Sequence, residues 1–77
     1  MNIWQIFYNT RDVPDKFVGR RFFIQKKPAP TNDLFISDDL DDVRDWVMRS
    51  AEKCNQVYPV CFGRHPEDES GIVEVWL

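Results

Sequence analysis

The chain has 77 residues, a net charge of −3 and a hydrophobic fraction of 43%. This length predicts one domain spanning residues 1–77, because a domain usually needs about 100–200 residues. The hydrophobic content excludes intrinsic disorder, and no apolar run approaches the roughly 18 residues of a membrane-spanning helix. The N-terminus shows no export signal, and two cysteines are too few for a disulfide framework. We therefore expect a cytoplasmic domain, without a membrane partner, whose cysteines are free thiols.

Charge is divided unevenly along the chain. Residues 1–27 carry six basic and two acidic side chains, whereas the remainder carries four basic and eleven acidic ones. A nucleic-acid binder needs a positive surface that displaces counterions from phosphates. The acidic total therefore disfavours nucleic acid as the partner, and only the basic N-terminal part supports it.

The first half of the chain predicts a β-hairpin. Alternating apolar residues indicate strands at 2–9 and 17–25, and Pro14 with its neighbouring aspartates marks a loop between them. Residues 26–32 are predicted to be a connector, because their two prolines cannot donate to a strand ladder. A short extended piece is expected at 34–36, before the helix.

The second half predicts one helix and two strands. Ser37 is the expected N-cap of a helix that ends near Lys53, with Arg44 pointing to solvent. Its buried face is marked by apolar residues at helical spacing, namely Leu40, Val43, Val47, Ala51 and Cys54, with Trp46 at the edge. Strands are predicted at 57–62, where Pro59 indicates an edge or a bulge, and at 72–77.

These elements predict an α+β domain of order ββαββ, in which one amphipathic helix packs on one face of an antiparallel sheet. The other face would then carry some of the aromatic residues Trp4, Trp76, Phe22 and Phe23, depending on the register, beside Arg20 or Arg21 and Glu74. Exposed aromatic patches are typical of partner surfaces and dimer seams. The alternative is that residues 26–32 and 63–71 fold over this face.

The start of the helix is a second candidate surface because it is rich in acid. Its aspartates are Asp38, Asp39, Asp41, Asp42 and Asp45. A negative surface of this kind can attract a basic host protein. The alternative is a solvated face, since the helix dipole favours acidic residues in a first turn.

Residues that could carry chemistry form no complete catalytic or metal-binding pattern. Cys54, Cys61 and His65, with Glu67 or Asp68, lack the short paired spacing of zinc ligands. A cysteine nucleophile would need His65 as its base, and no third group is evident to orient it. We therefore predict a protein that is not an enzyme and holds no metal or cofactor.

Nucleic-acid binding has one supporting pattern. Basic residues are interleaved with aromatic ones between Lys16 and Phe23, as in sheets that stack single-stranded nucleic acid or RNA. The alternative is a strand whose aromatics fill the core and whose arginines pair with acids across the sheet.

The first loop, with the double arginine after it, and the last strand carry the most distinctive residues of the chain. Scattered positions between these segments complete the pattern. The full set is Arg11, Asp12, Pro14, Asp15, Phe17, Val18, Arg20, Arg21, Phe22, Pro30, Asp33, Leu40, Arg44, Arg64, Pro66, Asp68 and 72–77. In them the chain resembles a group of short uncharacterised proteins of bacteriophages, prophages and bacteria. The resemblance implies a phage or mobile-element origin and, by analogy of size and context, binding to a host protein, including inhibition of a defence system in the manner of anti-CRISPR proteins.

The sequence thus favours a small non-catalytic binding protein with a host protein as partner. A single-stranded nucleic-acid or RNA-binding domain and a homodimer with a structural role are the alternatives.

Overall fold

Five elements follow one another in the computed structural model, which describes residues 1–56, 59–63 and 71–77. They are strands β1 (Asn2–Tyr8), β2 (Phe17–Ile24) and β3 (Pro28–Ser37), helix α1 (Leu40–Lys53) and strand β4 (Ile72–Trp76). The strands form one antiparallel sheet in the order β3-β2-β1-β4. The predicted α+β class, an antiparallel sheet with one helix, is confirmed.

The order of the elements differs from the predicted ββαββ, because three strands precede α1 and one follows it. Most of the predicted connector at 26–32 belongs to β3, which pairs with β2 from Pro28 onward. Pro28 and Pro30 are two positions apart, so their missing N–H groups fall on the same side of the strand. An edge strand tolerates such prolines when that side faces away from its neighbour.

The strand predicted at 57–62 is reduced to a short edge segment, and Val57 and Tyr58 lie outside the described residues. Val60 exchanges two backbone hydrogen bonds with Leu77, and the Phe62 N–H donates to the carbonyl oxygen of Val75. Residues 60–62 therefore line the outer side of β4, in keeping with the edge position that Pro59 indicated.

The core lies between α1 and the sheet. Trp4 and Ile6 of β1 are fully buried against Val43, Val47 and Ala51 of the helix. The helix face predicted from the spacing is therefore confirmed.

Gly19 allows α1 to approach β2 closely. A Cβ atom at this position would lie 2.7 Å from Cζ3 of Trp46 and 2.7 Å from Cγ1 of Val43. The Trp46 ring also stacks on Phe35 of β3, with the two ring centroids 6.1 Å apart. Glycine is therefore required here for space, because any larger residue would push the helix or the indole away from the sheet.

We expect Gly19→Ala to lower the free energy of unfolding by about 1–3 kcal/mol, because the added methyl group overpacks the helix–sheet contact. Urea denaturation followed by tryptophan fluorescence measures this change. Arg20→Ala is the control, since the neighbouring side chain is exposed on the opposite face and its loss should change stability by about 0.5 kcal/mol or less. Equal stability of Gly19→Ala and the wild type would contradict the close approach.

Candidate interaction face of the sheet

The sheet face opposite α1 is called the open face, and alternate residues of all four strands form it. Arg20 pairs with Gln5 on one side and with Leu34 on the other, so the three side chains form a row across the sheet. The same registers place these further residues on the open face: Ile3, Phe7, Val18, Phe22, Ile24, Ile36 and Val75. In the described part of the chain no helix covers this face.

A groove with a volume of about 820 Å³ lies on the open face. Its lining is mainly apolar, with Gln5 and Arg20 as the polar side chains contributed by the strands. The apolar strand residues that line it are Phe7, Val18, Phe22, Leu34 and Ile72. The loop between β1 and β2 adds Thr10, Asp12 and Val13 as a wall.

A β-bulge brings Ile72 into this groove. Ile6 pairs with Glu74, whereas the next residue, Phe7, pairs with Ile72, so Val73 is an extra residue in β4. Without the bulge, Ile72 would share the face of Glu74, as the alternation of the sequence predicted. The bulge instead places it beside Phe7, where it is buried and closes one end of the groove.

The loop wall is held by hydrogen bonds of its own. Asn9 and Asp15 adopt left-handed φ values of 58° and 61°, which asparagine and aspartate accept more readily than most residues. The Asn9 side-chain oxygen accepts the Asp15 N–H at 2.9 Å, and the Thr10 hydroxyl accepts the Val13 N–H at 3.1 Å. The loop is therefore a fixed rim of the groove.

Two segments, 26–32 and 63–71, were expected as alternative cover for the open face, and most of the first is not available as cover. Residues 28–32 belong to the sheet itself as part of β3. Residues 64–70 lie outside the described part of the chain. The structure thus shows the groove bounded by the β1–β2 loop, whose role as a wall had no signal in the sequence.

Arg20 and Arg21 lie on opposite faces of the sheet. Arg20 is exposed on the open face. Arg21 pairs in register with Trp4 on the helix side, where its Nε donates to Asp33 and its Nη1 donates to the Asn2 side chain, both at 2.6 Å. Arg21 therefore ties β2 to both neighbouring strands.

Trp76 also lies on the helix side of the sheet. It pairs with Trp4 and packs against the core, and its Nε1 donates to the Glu74 carboxylate at 3.1 Å. Of the three predicted binding residues in the strands, only Arg20 therefore belongs to the open face. Of the aromatic candidates for this face, Phe22 belongs to it, whereas Trp4, Phe23 and Trp76 lie on the helix side because of the register of β1 with its neighbours.

The acidic start of α1 is largely explained by capping. Asp39 is the N-cap residue, and its carboxylate accepts the Asp41 N–H at 2.9 Å. Ser37, the predicted cap, still belongs to β3, where its hydroxyl accepts the Asp39 N–H and donates to Asp42. The helix consequently begins at Leu40, later than the sequence predicted, because the strand continues up to the serine.

Two of the remaining contacts of these aspartates are ion pairs. Asp38 pairs with Lys16, the residue before β2, and Asp41 pairs with Arg44 one turn further along the helix. Asp45 is exposed. Four of the five predicted aspartates therefore take part in contacts within the chain.

Glu74 is a nearly buried carboxylate, 8% exposed, between β4 and α1. Arg44 Nε donates to its two oxygens at 3.1 and 3.2 Å, Arg44 Nη2 donates a further bond, and Trp76 Nε1 supplies a third donor group. The hydrogen bonds from Arg44 hold the pKa of Glu74 below its ordinary value, and burial opposes this shift. Arg44, predicted to point to solvent, instead joins the helix to β4.

The other residues considered for chemistry are separated. Cys54 packs against the core and Cys61 is exposed, and both are free thiols. Within residues 1–56, 59–63 and 71–77 no group of three or more potential ligands could hold a metal ion. His65, Glu67 and Asp68 lie outside that part of the chain.

No family model, curated protein or solved structure matches the chain. None of the helices in the described residues is long and apolar enough to cross a membrane.

We expect Asp39→Ala to destabilise the protein by about 1 kcal/mol, because the Asp41 N–H loses its capping acceptor. Asp45→Ala removes an aspartate from the same helix without touching the cap and should change stability by about 0.5 kcal/mol or less. Thermal unfolding followed by circular dichroism compares the two. Equal losses of stability in the two variants would contradict a stabilising role of Asp39 as the helix cap.

We expect the stability gained from Glu74 to depend on pH. Because its folded pKa is depressed, its contribution is complete above the unfolded value of about 4.3 and is lost as the pH falls through the folded pKa. At pH 7, Glu74→Gln should therefore be less stable than the wild type by about 1–3 kcal/mol. The difference should shrink on acidification below about pH 4.3. Urea denaturation of both proteins across this pH range measures the difference in stability. A difference that does not change with pH would contradict the ion pair between Glu74 and Arg44.

Proposed function

We propose that the protein is a non-catalytic binding protein that holds a partner protein against the open face. The observation that carries this proposal is the groove of about 820 Å³, whose apolar lining surrounds the exposed Arg20. Apolar surface in water costs about 25 cal/mol per Å². A chain of 77 residues has little stability to spare, so a groove of this kind is best explained by a partner that covers it.

The composition of the open face supports a protein partner. Fully buried centres of protein interfaces are apolar, with aromatic residues and arginine enriched, and their rims are polar. Here Phe7 and Phe22 lie within the groove beside Arg20, and Thr10 and Asp12 stand on the rim. The rim is held by its own hydrogen bonds, so binding would require little ordering of the loop.

The partner's chemistry follows from the same residues. It presents apolar side chains to the groove and a carboxylate to Arg20, because a guanidinium that is covered without an acceptor would lose its hydration. Given the resemblance to phage and prophage proteins, we propose a host protein as this partner, with inhibition of a host or defence factor as the biological result.

The geometry gives less support to single-stranded nucleic acid. Sheets that bind it align several cations along an aromatic platform. Arg20 and Arg21 point to opposite faces, and Arg21 is engaged by Asp33. Asp12 on the groove rim would repel a phosphate.

We expect Arg20→Glu to weaken partner binding by about tenfold or more, which corresponds to the 1.4 kcal/mol or more typical of a central arginine. Immobilised wild-type protein captures the partner from a lysate of the bacterium that carries the gene, and calorimetry with the purified partner gives the affinity. Lys27→Glu is the matched control, because Lys27 is an exposed cation that lies outside the groove lining and outside residues 33–37.

The proposal is contradicted if Lys27→Glu weakens binding as much as Arg20→Glu does. It is also contradicted if the wild type binds labelled single-stranded DNA with an affinity that falls steeply with salt, while no protein is bound through Arg20.

A further inference from the structure

The two edges of the sheet differ in how they are covered. Along β4, backbone hydrogen bonds from residues 60–62 occupy the outer side. Along β3, which forms the other edge, no segment of the described chain is paired on the outer side. A free edge presents N–H and C=O groups that can pair with another strand.

The features of β3 that prevent pairing with another strand lie mainly in the first part of the strand. Pro28 and Pro30 cannot donate to an added strand, but the stretch from Thr31 to Ser37 contains no proline. In this second half Leu34 and Ile36 remain 46% and 42% exposed. Its one charged residue, Asp33, is engaged by Arg21 within the same sheet. The register of β3 with β2 shifts at residues 31–33, where the ladder is irregular. Residues 34–37 pair regularly with β2 and lack the features that keep edge strands apart.

We propose that β3 pairs antiparallel with β3 of a second copy of this chain through residues 33–37. A two-fold axis at Phe35 places Leu34 of each copy opposite Ile36 of the other, on the open face. It also places Asp33 opposite Ser37, and it leaves Pro28 and Pro30 beyond the paired stretch. Antiparallel pairing of a strand with itself is closed by its symmetry, so the assembly ends at two copies.

The strand is complementary to itself in this register. The apolar pairs contact each other on one face, and no like charges lie directly opposite one another, which would destabilise a ladder. On the helix side, Asp33, Arg49 and Lys53 line one cleft near the same edge. Each copy therefore brings both signs of charge to the axis. This self-complementarity favours a second copy over an unrelated strand as the occupant.

The predicted dimer is weak, because five paired residues bury less than the roughly 1,200–2,000 Å² of stable interfaces. We therefore expect a dissociation constant in the micromolar range. Sedimentation equilibrium from about 5 to about 500 μM should show the mass rising from monomer towards dimer. A monomer at every concentration would overturn the proposal.

Variants locate the interface. Ile36→Lys should weaken dimerisation by about tenfold or more, because a lysine gatekeeper on an edge strand opposes pairing. Met48→Lys is the matched control, since Met48 is 44% exposed on α1 and its variant should dimerise like the wild type. Circular dichroism establishes that both variants fold, and Leu34→Lys repeats the test at the neighbouring position. A dimer that survives both β3 changes would overturn the proposal.

This inference is independent of the proposed function. Arg20→Glu should lose the partner protein and still dimerise, whereas Ile36→Lys should lose the dimer. A dimer without any captured partner would contradict the proposed function alone, and a captured partner with a strictly monomeric chain would contradict the pairing alone.

Discussion

The burial of Trp4 beneath α1 is the contact on which the rest of the structure depends. Its indole is fully buried, and its Nε1 donates to Ser50 on the helix at 2.9 Å, so apolar packing and a hydrogen bond act at one point. Gly19 in the adjacent strand leaves the space that brings the helix this close. A helix of 14 residues is about 21 Å long, enough for one sheet face. The open face therefore follows from the way the core is built.

Much of this arrangement could be predicted from the sequence, because the contacts involved are periodic. The spacing of Val43, Val47 and Ala51 indicated the buried helix face. The alternation of β1 placed Trp4 and Ile6 on one face but did not show that this face is the buried one, and Trp4 was a candidate for the open face. Only the extended piece at 34–36 of β3 was predicted. The first part of the strand was missed because prolines normally argue against a ladder, and their tolerance depends on the strand being at an edge. Strand order depends on tertiary packing and cannot be predicted from a local sequence pattern.

The candidate site was only partly predictable for a related reason. Adjacent residues of a strand point to opposite faces, so the sequence showed that Arg20 and Arg21 are separated but not which of them faces the helix. The bulge that turns Ile72 into the groove depends on the pairing of β4 with β1. In the same way, the aspartates of α1 could be read as a binding surface or as caps, and only the positions of Lys16, Ser37 and Arg44 distinguish these roles.

The two proposed contacts share the side chain of Leu34, which lines the groove and would lie opposite Ile36 of a second copy, but they otherwise use different groups of β3. The side chain of Leu34 lines the groove, whereas the backbone at the outer edge points within the plane of the sheet. Pairing at this edge would extend the sheet and place two open faces side by side. A partner with two equivalent binding segments would then gain affinity from the second contact, because that contact becomes intramolecular. Weak association at the edge can in this way strengthen binding at the face.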